Sequence, residues 1–410
     1  MRKLLARNKL FVAIFIVSAI VFIIHFFIVG SGVWGDGRFY FSYLHSWIVD
    51  FDLNFGNEFA HFNIPIEITQ TGFIANKFPI GSAIIWLPFY LTLYLILSLG
   101  HIIISGLDIS GYSNIYQITI GLNSVLLGII GLFFCRQTLK QFFPDRLATI
   151  SVLAIWLASN LFFYTAIDPI NSHSVSFFLF SILFYLLIVF KKNFDWLKAL
   201  IVGVLLGLLA MTRTEDGVFV IPVLFYLFLN KKNLLEYIKN LIIISGSFFV
   251  AFLPQIIIWQ MVYGQIQSPY IINGETFNWL TPGLINVLIN QQSGLFTFAP
   301  ILIFSTIGLF LILKKDIYLA ITAILLFLFQ WYIVSSWYAQ TGTGAYGARM
   351  FVSLMPIFML GIGEFTQRLS GIGRKIEDLK PSKLGISWHI VQIGFVILNF
   401  YSIVTFLLSS

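Results

Sequence analysis

Charged residues are scarce in this sequence of 410 residues: lysine, arginine, aspartate and glutamate together make up 10% of it. Soluble domains are about a quarter charged, so a soluble globular fold is excluded. Cysteine is nearly absent, because Cys135 is the single one. That excludes an intramolecular disulfide framework and a cysteine-rich metal site. The net charge of +7 does not indicate nucleic acid binding, because an excess of lysine and arginine in an apolar chain mainly reports membrane topology.

Apolar residues, by contrast, make up 59% of the chain, and the mean hydropathy is +0.92. Many of them lie in runs of about 20 residues, the length with which a helix crosses a bilayer. The sequence therefore predicts an all-α polytopic protein of the cytoplasmic membrane, with one transmembrane domain over residues 1–410. Eleven runs are predicted to cross, at about 10–30, 115–135, 147–166, 174–190, 199–212, 217–229, 241–262, 298–313, 317–335, 350–363 and 389–408.

The positions of lysine and arginine orient these helices, because both residues collect on the cytoplasmic side. If the apolar run at 80–104 makes no net crossing, 20 of the 24 cationic residues lie inside, including those of the loop at 364–388. Pro88 and Gly100 favour a break in that run, so we expect a juxtamembrane or half-inserted element there. Residues 31–114 then form a first extracytoplasmic loop, and the C-terminus lies outside.

The first extracytoplasmic loop holds the densest group of carboxylates, at residues 34–58. Gly35 and Gly37 flank Asp36, so the backbone can turn tightly there, and Asp36 is the leading candidate for a general base. Aromatic and apolar residues then recur at spacings of three and four over 39–51, which predicts an amphipathic helix in the membrane interface. The alternative role of Asp36 is to cap that helix. Asp50 and Asp52 are interpreted as turn residues, with a cation site as the alternative.

Four cationic residues stay on the acidic outer face, and we interpret them as partners of an anionic group: Arg38, Lys77, Arg213 and Arg349. Lys77 either reaches up to the interface from an apolar segment or contacts a phosphate. Arg213 lies in a polar break, T-R-T-E-D-G at 212–217, which should dip toward the bilayer interior because the flanking runs are short. It either pairs with Glu215 or Asp216 or faces a phosphate.

A second short outer loop, A-I-D-P-I-N-S-H-S at 166–174, brings Asp168 and His173 close to the hydrocarbon boundary. An acid and an imidazole there are costly unless they have a partner or a function. Asp168 is alternatively a helix-end turn residue. The glycine-rich loop at 335–350 ends in Arg349 and suits a backbone that approaches a ligand closely.

These motifs occur in a familiar order: G-D-G-R-F-Y at 35–40, K-F-P-I-G at 77–81, the outer acid Asp168, T-R-x-E-D at 212–216 and W…G-x-G-x-x-G-x-R ending at Arg349. The chain thereby resembles the C-type (GT-C) glycosyltransferase superfamily. Within it, the chain looks most like transferases that depend on polyprenyl-phosphate sugars, such as protein O-mannosyltransferases and the aminoarabinose transferase of lipid A. The resemblance extends to about residue 365.

The resemblance implies an inverting glycosyltransferase that moves a sugar from a polyprenyl-phosphate donor to a glycolipid, polysaccharide or protein acceptor at the outer membrane face. Asp36 would be the base, and Asp168 would hold a cation or the acceptor. Lys77, His173, Arg213, Glu215 and Arg349 would bind substrate. The cofactor is open, with a divalent cation as one option and no assigned ligands. Two alternatives are a transporter or flippase of lipid-linked intermediates and an enzyme similar to O-antigen ligases or polymerases.

Overall fold

The computed structural model describes residues 2–191, 193–231, 233–339, 345–370 and 383–409. Within those ranges the chain is helical, and its only β-pairings are two isolated bridges. The all-α prediction is confirmed. The helices are α1 Arg2–Val29, α2 Gly37–His45, α3 Gly56–His61, α4 Gly81–Ile103, α5 Asn114–Leu139, α6 Asp145–Leu157, α7 Ser172–Phe190, α8 Trp196–Thr212, α9 Val220–Leu229, α10 Leu234–Tyr263, α11 Pro269–Ile272, α12 Leu284–Ile289, α13 Leu295–Phe298, α14 Ile301–Ile312, α15 Ile317–Ser336, α16 Met355–Ser370 and α17 Lys383–Ser409.

Eight segments of the described chain are long and apolar enough to cross a membrane: Lys9–Val29, Gly81–Ile103, Asn114–Leu139, Ser172–Phe190, Leu234–Tyr263, Ile317–Ser336, Arg349–Ser370 and Leu384–Ser409. Two shorter apolar helices are α8 and α14. A multi-pass integral membrane protein follows from these lengths. The count of eleven crossing helices stays a prediction, because α6 and α9 are short.

Polar residues start the apolar helices by binding backbone N–H groups that have no partner in the first turn. Asn171 caps α7, Asp195 caps α8 and Asn233 caps α10 in this way. Inside the bundle, α14 and α16 pack backbone to backbone. A Cβ on Gly308 would lie 1.9 Å from the carbonyl oxygen of Gly361, so glycine is required there.

The helices divide into a buried centre and a lipid-facing surround. Most side chains in the apolar windows of α5, α7 and the 349–370 segment are buried, whereas those of α1, α4, α10 and α17 are mostly accessible. Helices that expose apolar side chains on most of their surface suit contact with lipid tails. The buried centre includes the start of α7 and the end of α8, where several of the predicted site residues lie.

Helices α1 and α5 run antiparallel, and the contacts between them show at which end of α1 the first loop begins and ends. The side chain of Gln117, at the start of α5, accepts a hydrogen bond from the backbone of Gly32 at 2.9 Å. At their other ends, the guanidinium of Arg136 lies over the ring of Phe11. Residues 31–113 thus return to the end of α1 from which they departed, which we call the outer end. Helix α4 lies within this stretch, so it makes no single net crossing.

Helix α4 itself differs from the expected broken element. It continues through Pro88 as one helix of 23 residues, and its length alone would allow a crossing. Its middle nevertheless contacts outer segments, since Tyr90 donates to the carbonyl of Gly111 at 2.9 Å and its ring packs against Tyr116 in the first turn of α5. That α4 is juxtamembrane or half-inserted stays a prediction.

The prediction of an amphipathic helix in the membrane interface at 39–51 is wrong in one respect, the burial of its side chains. The structure has α2 followed by a π-helical turn at Ser46–Asp50, but all side chains from Tyr40 to Ser46 are buried. Phe51, expected on the apolar stripe, is 80% exposed. Helix α2 is therefore enclosed by α3, α4 and the loops around it. Its polar residues can be buried because they have partners within the protein.

Candidate active site

Asp36 lies directly before α2, but it does not serve as the cap that its position allows. Within the described residues its side chain makes no capping hydrogen bond. Instead its Oδ2 accepts from Nη1 of Arg349 at 2.7 Å, across 313 residues of sequence. About a quarter of the Asp36 side chain is exposed. The capping alternative is thereby rejected, and the carboxylate is free to face a ligand.

Gly37 holds this carboxylate against the second outer loop. A Cβ on Gly37 would lie 2.4 Å from the carbonyl oxygen of Ile170, so only glycine permits the contact. Ile170 is two residues from Asp168. The two outer acids that the sequence singled out are thus brought to the same region of the protein.

Asp168 is buried behind Asp36 rather than exposed on the surface. It follows a π-helical turn at Phe163–Ile167, and its Oδ2 accepts from Nδ2 of Asn171 at 3.3 Å. Its Oδ1 has no hydrogen-bond partner in the part of the chain described. Burial raises the pKa of Asp168 to about 7, and the negative charge of Asp36 adds to the increase. Asp168 is thus a buried acid at the end of a helical turn, close enough to Asp36 for the two charges to interact.

Arg213 ends α8 and is held by several groups. Its Nη1 donates to Oγ of Ser172 at 2.9 Å and to Nδ1 of His173 at 2.8 Å, while Nη2 bonds to Glu215. The predicted polar break follows as a 3₁₀ turn at Thr214–Phe219. His173 therefore accepts from Arg213 behind the guanidinium and does not line the cavity described next. Its contact with substrate stays a prediction.

These side chains surround a cavity of about 610 Å³, within the range that ordinary ligand sites occupy. Five of the seven predicted site residues line it: Asp36, Lys77, Arg213, Glu215 and Arg349. Aromatic side chains supply much of the remaining wall: Tyr40, Phe78, Tyr270, Phe277, Trp279 and Trp337. The cavity thus has both charged and aromatic walls, which suits a ligand that has both a charged and a hydrocarbon part.

Sequence reasoning missed the acid that partners Lys77. Nζ of Lys77 lies 2.9 Å from Oε1 of Glu275, and Oε2 of Glu275 accepts from Nε1 of Trp337 at 2.8 Å. Lys77 also lies over the ring of Tyr270, 5.3 Å from its centre. A local carboxylate was one of the anionic partners predicted for Lys77, but the sequence did not indicate which carboxylate it would be. The signal available was Glu275, an isolated acid assigned to the same face, in an aromatic stretch.

Two further predictions can be placed. Asp52 is a turn residue, since it accepts from Oγ of Ser46 at 2.8 Å and from the backbone of Asn54. The late glycine-rich loop is described in part: Gly347 has a positive φ of 61° and precedes Arg349. Residues 340–344 of that loop, and 371–382 of the predicted cytoplasmic loop, lie outside the described residues.

Residues 102–259 match the family described as dolichyl-phosphate-mannose-protein mannosyltransferase. No curated protein matches the sequence. The structure is similar to ArnT from Cupriavidus metallidurans bound to undecaprenyl phosphate, with 14% identity and a TM-score of 0.54 over 98% of this chain and 72% of that one.

It is also similar to the archaeal oligosaccharyltransferase AglB from Archaeoglobus fulgidus in complex with an inhibitory peptide and a dolichol-phosphate. The identity is 12% and the TM-score 0.53, over 98% of this chain and 56% of that one. The chain thus spans little more than half the length of that oligosaccharyltransferase. Both sequence identities are too low to assign a function, so the two similarities show the fold alone.

The fold and cavity define a multi-pass membrane protein with the architecture of GT-C glycosyltransferases. The resemblance to that superfamily is confirmed at the level of the fold, and the family match covers residues 102–259.

Proposed function

We propose that this protein transfers a sugar from a polyprenyl-phosphate donor to an acceptor hydroxyl or amine at the outer face of the cytoplasmic membrane, with inversion at the anomeric carbon. One observation carries the proposal: Asp36 lines a cavity that three cationic side chains, Lys77, Arg213 and Arg349, also line. A carboxylate beside several cations is what a reaction needs when a proton leaves one partner and negative charge develops on another.

Asp36 is the base in this reaction. Its carboxylate takes the proton of the acceptor O–H, the acceptor oxygen bonds to the anomeric carbon, and the bond from that carbon to the phosphate oxygen breaks. The electron pair of the broken bond departs with the polyprenyl phosphate. With one attack on the carbon and no covalent sugar–protein intermediate, the configuration inverts. Arg349, 2.7 Å from Asp36, orients the carboxylate before the acceptor arrives.

Lys77, Arg213 and Arg349 stabilise the phosphate as its charge rises. Arg213 is held rigidly by Ser172, His173 and Glu215, so its guanidinium need not reorganise during the reaction. Lys77 is less constrained, because more than a third of its side chain is exposed. A phosphate that enters the cavity would compete with Glu275 for the Lys77 ammonium.

The donor and acceptor classes rest on the relatives. ArnT binds undecaprenyl phosphate, and the archaeal enzyme was solved with dolichol-phosphate and a peptide. The aromatic walls of the cavity suit a sugar and the first isoprene units of such a carrier, since apolar and aromatic surfaces line most ligand pockets. The acceptor is a glycolipid, a polysaccharide or a protein. A divalent cation near Asp36 and Asp168 is part of the proposal only as an option.

The proposal is tested with Asp36→Asn, which keeps the size of the side chain and removes the base. Transfer should fall by at least about 100-fold, the usual contribution of a general base. The measurement is mass spectrometry of glycolipids, wall polymers and surface proteins from cells that carry either form. Glu67→Gln is the control, because Glu67 is exposed on the first loop and lies outside the cavity. Full transfer in Asp36→Asn and in Asp168→Asn would overturn the proposal.

A further inference from the structure

A second cluster of titratable side chains lies in the first outer loop, away from the cavity. It consists of His45 at the end of α2, Asp50 at the end of the π-helical turn, and Glu58 in α3. One ligand atom from each lies within 4.8 Å of the other two. Nδ1 of His45 is 2.8 Å from Oε1 of Glu58 and 3.1 Å from Oδ2 of Asp50. The proposed transfer reaction makes no use of these residues.

The other ring nitrogen of His45 decides what faces the two carboxylates. Nε2 lies 2.9 Å from the backbone carbonyl oxygen of Ser110, and a carbonyl can only accept, so Nε2 carries a hydrogen. In the neutral ring, Nδ1 is then a lone pair directed at two carboxylate oxygens. Three acceptors that converge on one point require either a proton or a metal cation between them. A histidine that ligates a metal commonly donates its other N–H to a backbone carbonyl in this way.

Glu58 supplies the independent observation. Its side chain is fully buried, and its Oε2 has no hydrogen-bond partner within the described residues. Among those residues, neither Glu58 nor Asp50 pairs with a lysine or arginine. A buried carboxylate without a compensating charge is costly. A proton on His45 would leave the cluster with one net negative charge, whereas a divalent cation would neutralise both carboxylates.

The ligand spacing fits a metal of ordinary size. Bonds of about 2.1 Å to nitrogen and oxygen, at angles of about 90° to 110°, separate neighbouring ligand atoms by about 3.0 to 3.4 Å. The distances around Nδ1 lie close to that range. The ring is also fixed in orientation, because it stacks on Tyr112 at 3.9 Å, and Tyr112 stacks in turn on His61 at 4.0 Å. One imidazole and two carboxylates suit Zn²⁺ or Mn²⁺.

We propose that His45, Asp50 and Glu58 bind a divalent metal ion, Zn²⁺ or Mn²⁺, that braces the first outer loop. The ion would join the end of α2 to α3, and through His45 and Ser110 to the segment that precedes α5. Asp36 lies at the opposite end of α2, about 13 Å away by helical rise, so the ion takes no part in the transfer chemistry. This inference does not rest on the proposed function.

The test uses the full chain in detergent micelles, stripped with a chelator and then dialysed against Zn²⁺ or Mn²⁺ alone. Bound metal is counted by mass spectrometry of the elements. The wild type and Asp52→Asn should bind, because Asp52 lies in the same loop and outside the cluster. Glu58→Gln should bind more than about 100-fold more weakly, since even residues behind the ligands change affinity by 10- to 100-fold.

A second measurement separates loss of the site from loss of the fold. The thermal midpoint of the stripped wild type should rise when either metal is added, and that of Glu58→Gln should not. If Glu58→Gln does not fold, Asp50→Asn replaces it, because Asp50 lies at the exposed edge of the cluster. Equal binding by the wild type and the cluster variants would overturn the proposal. So would a wild type that binds neither ion, which would leave His45 as a protonated partner of the two acids.

Discussion

Asp36 and Asp168 are the two acids of the outer face that the structure brings together, and their surroundings differ. Asp36 is partly exposed and paired with Arg349, whereas Asp168 is buried with Oδ1 unpaired in the described part of the chain. Burial favours the protonated form of Asp168. Environments that differ in this way point to different roles in catalysis. Asp36 suits proton acceptance, and Asp168 suits donation of a hydrogen bond to the acceptor or to Asp36.

Asp168 should make the stability of the protein depend on pH. Its pKa rises from the ordinary 3.8 to about 7 on folding, because burial penalises the ionised form. Its contribution to the free energy of unfolding is therefore complete below pH 3.8 and lost as the pH rises through 7. The thermal midpoint should fall more steeply between about pH 4 and pH 7 in the wild type than in Asp168→Asn. Parallel pH profiles would show that folding does not raise the pKa of Asp168.

Helix α2 is positioned by contact rather than by its own composition. Gly37 allows its first turn to touch the carbonyl of Ile170, where a Cβ would come within 2.4 Å of the oxygen. In Gly37→Ala, the methyl group should push α2 away and cost about 1 to 3 kcal/mol, as overpacking does. Asp36 would move with the helix, and a displacement of about 1 Å can lower a rate by about 100-fold. Transfer activity and the thermal midpoint should both fall.

Gly106→Ala is the matched control for Gly37→Ala. Gly106 also lies on the outer side, and a Cβ there would meet nothing within 4 Å. Activity and stability should be unchanged in this variant. If Gly37→Ala also keeps full activity, the contact between α2 and the second outer loop does not position Asp36.

The candidate site was predictable from the sequence to the extent that charge is scarce in this chain. Few cations remain on the outer face, so Lys77, Arg213 and Arg349 stood out, and all three line the cavity. Pairing was not predictable, because the Lys77–Glu275 contact spans 198 residues and no local pattern marks it. The burial of α2 was not predicted, for the same reason. A spacing of three and four identifies the apolar positions of a helix, but it does not show whether loops cover the opposite face.

The membrane topology of the whole chain can be tested with single introduced cysteines, because the native Cys135 is buried and should stay unlabelled. Gln117 lies at the outer end of α1 and Arg136 near Phe11 at its other end. Ser105, just after α4, and Lys140, just after α5, should therefore lie on opposite sides of the membrane. Ser105→Cys should react with an impermeant maleimide in intact cells, and Lys140→Cys only after permeabilisation. The swapped pattern, with Lys140→Cys labelled in intact cells and Ser105→Cys only after permeabilisation, would mean that α4 crosses the bilayer, which would invert every later loop and separate Arg213 from Asp36.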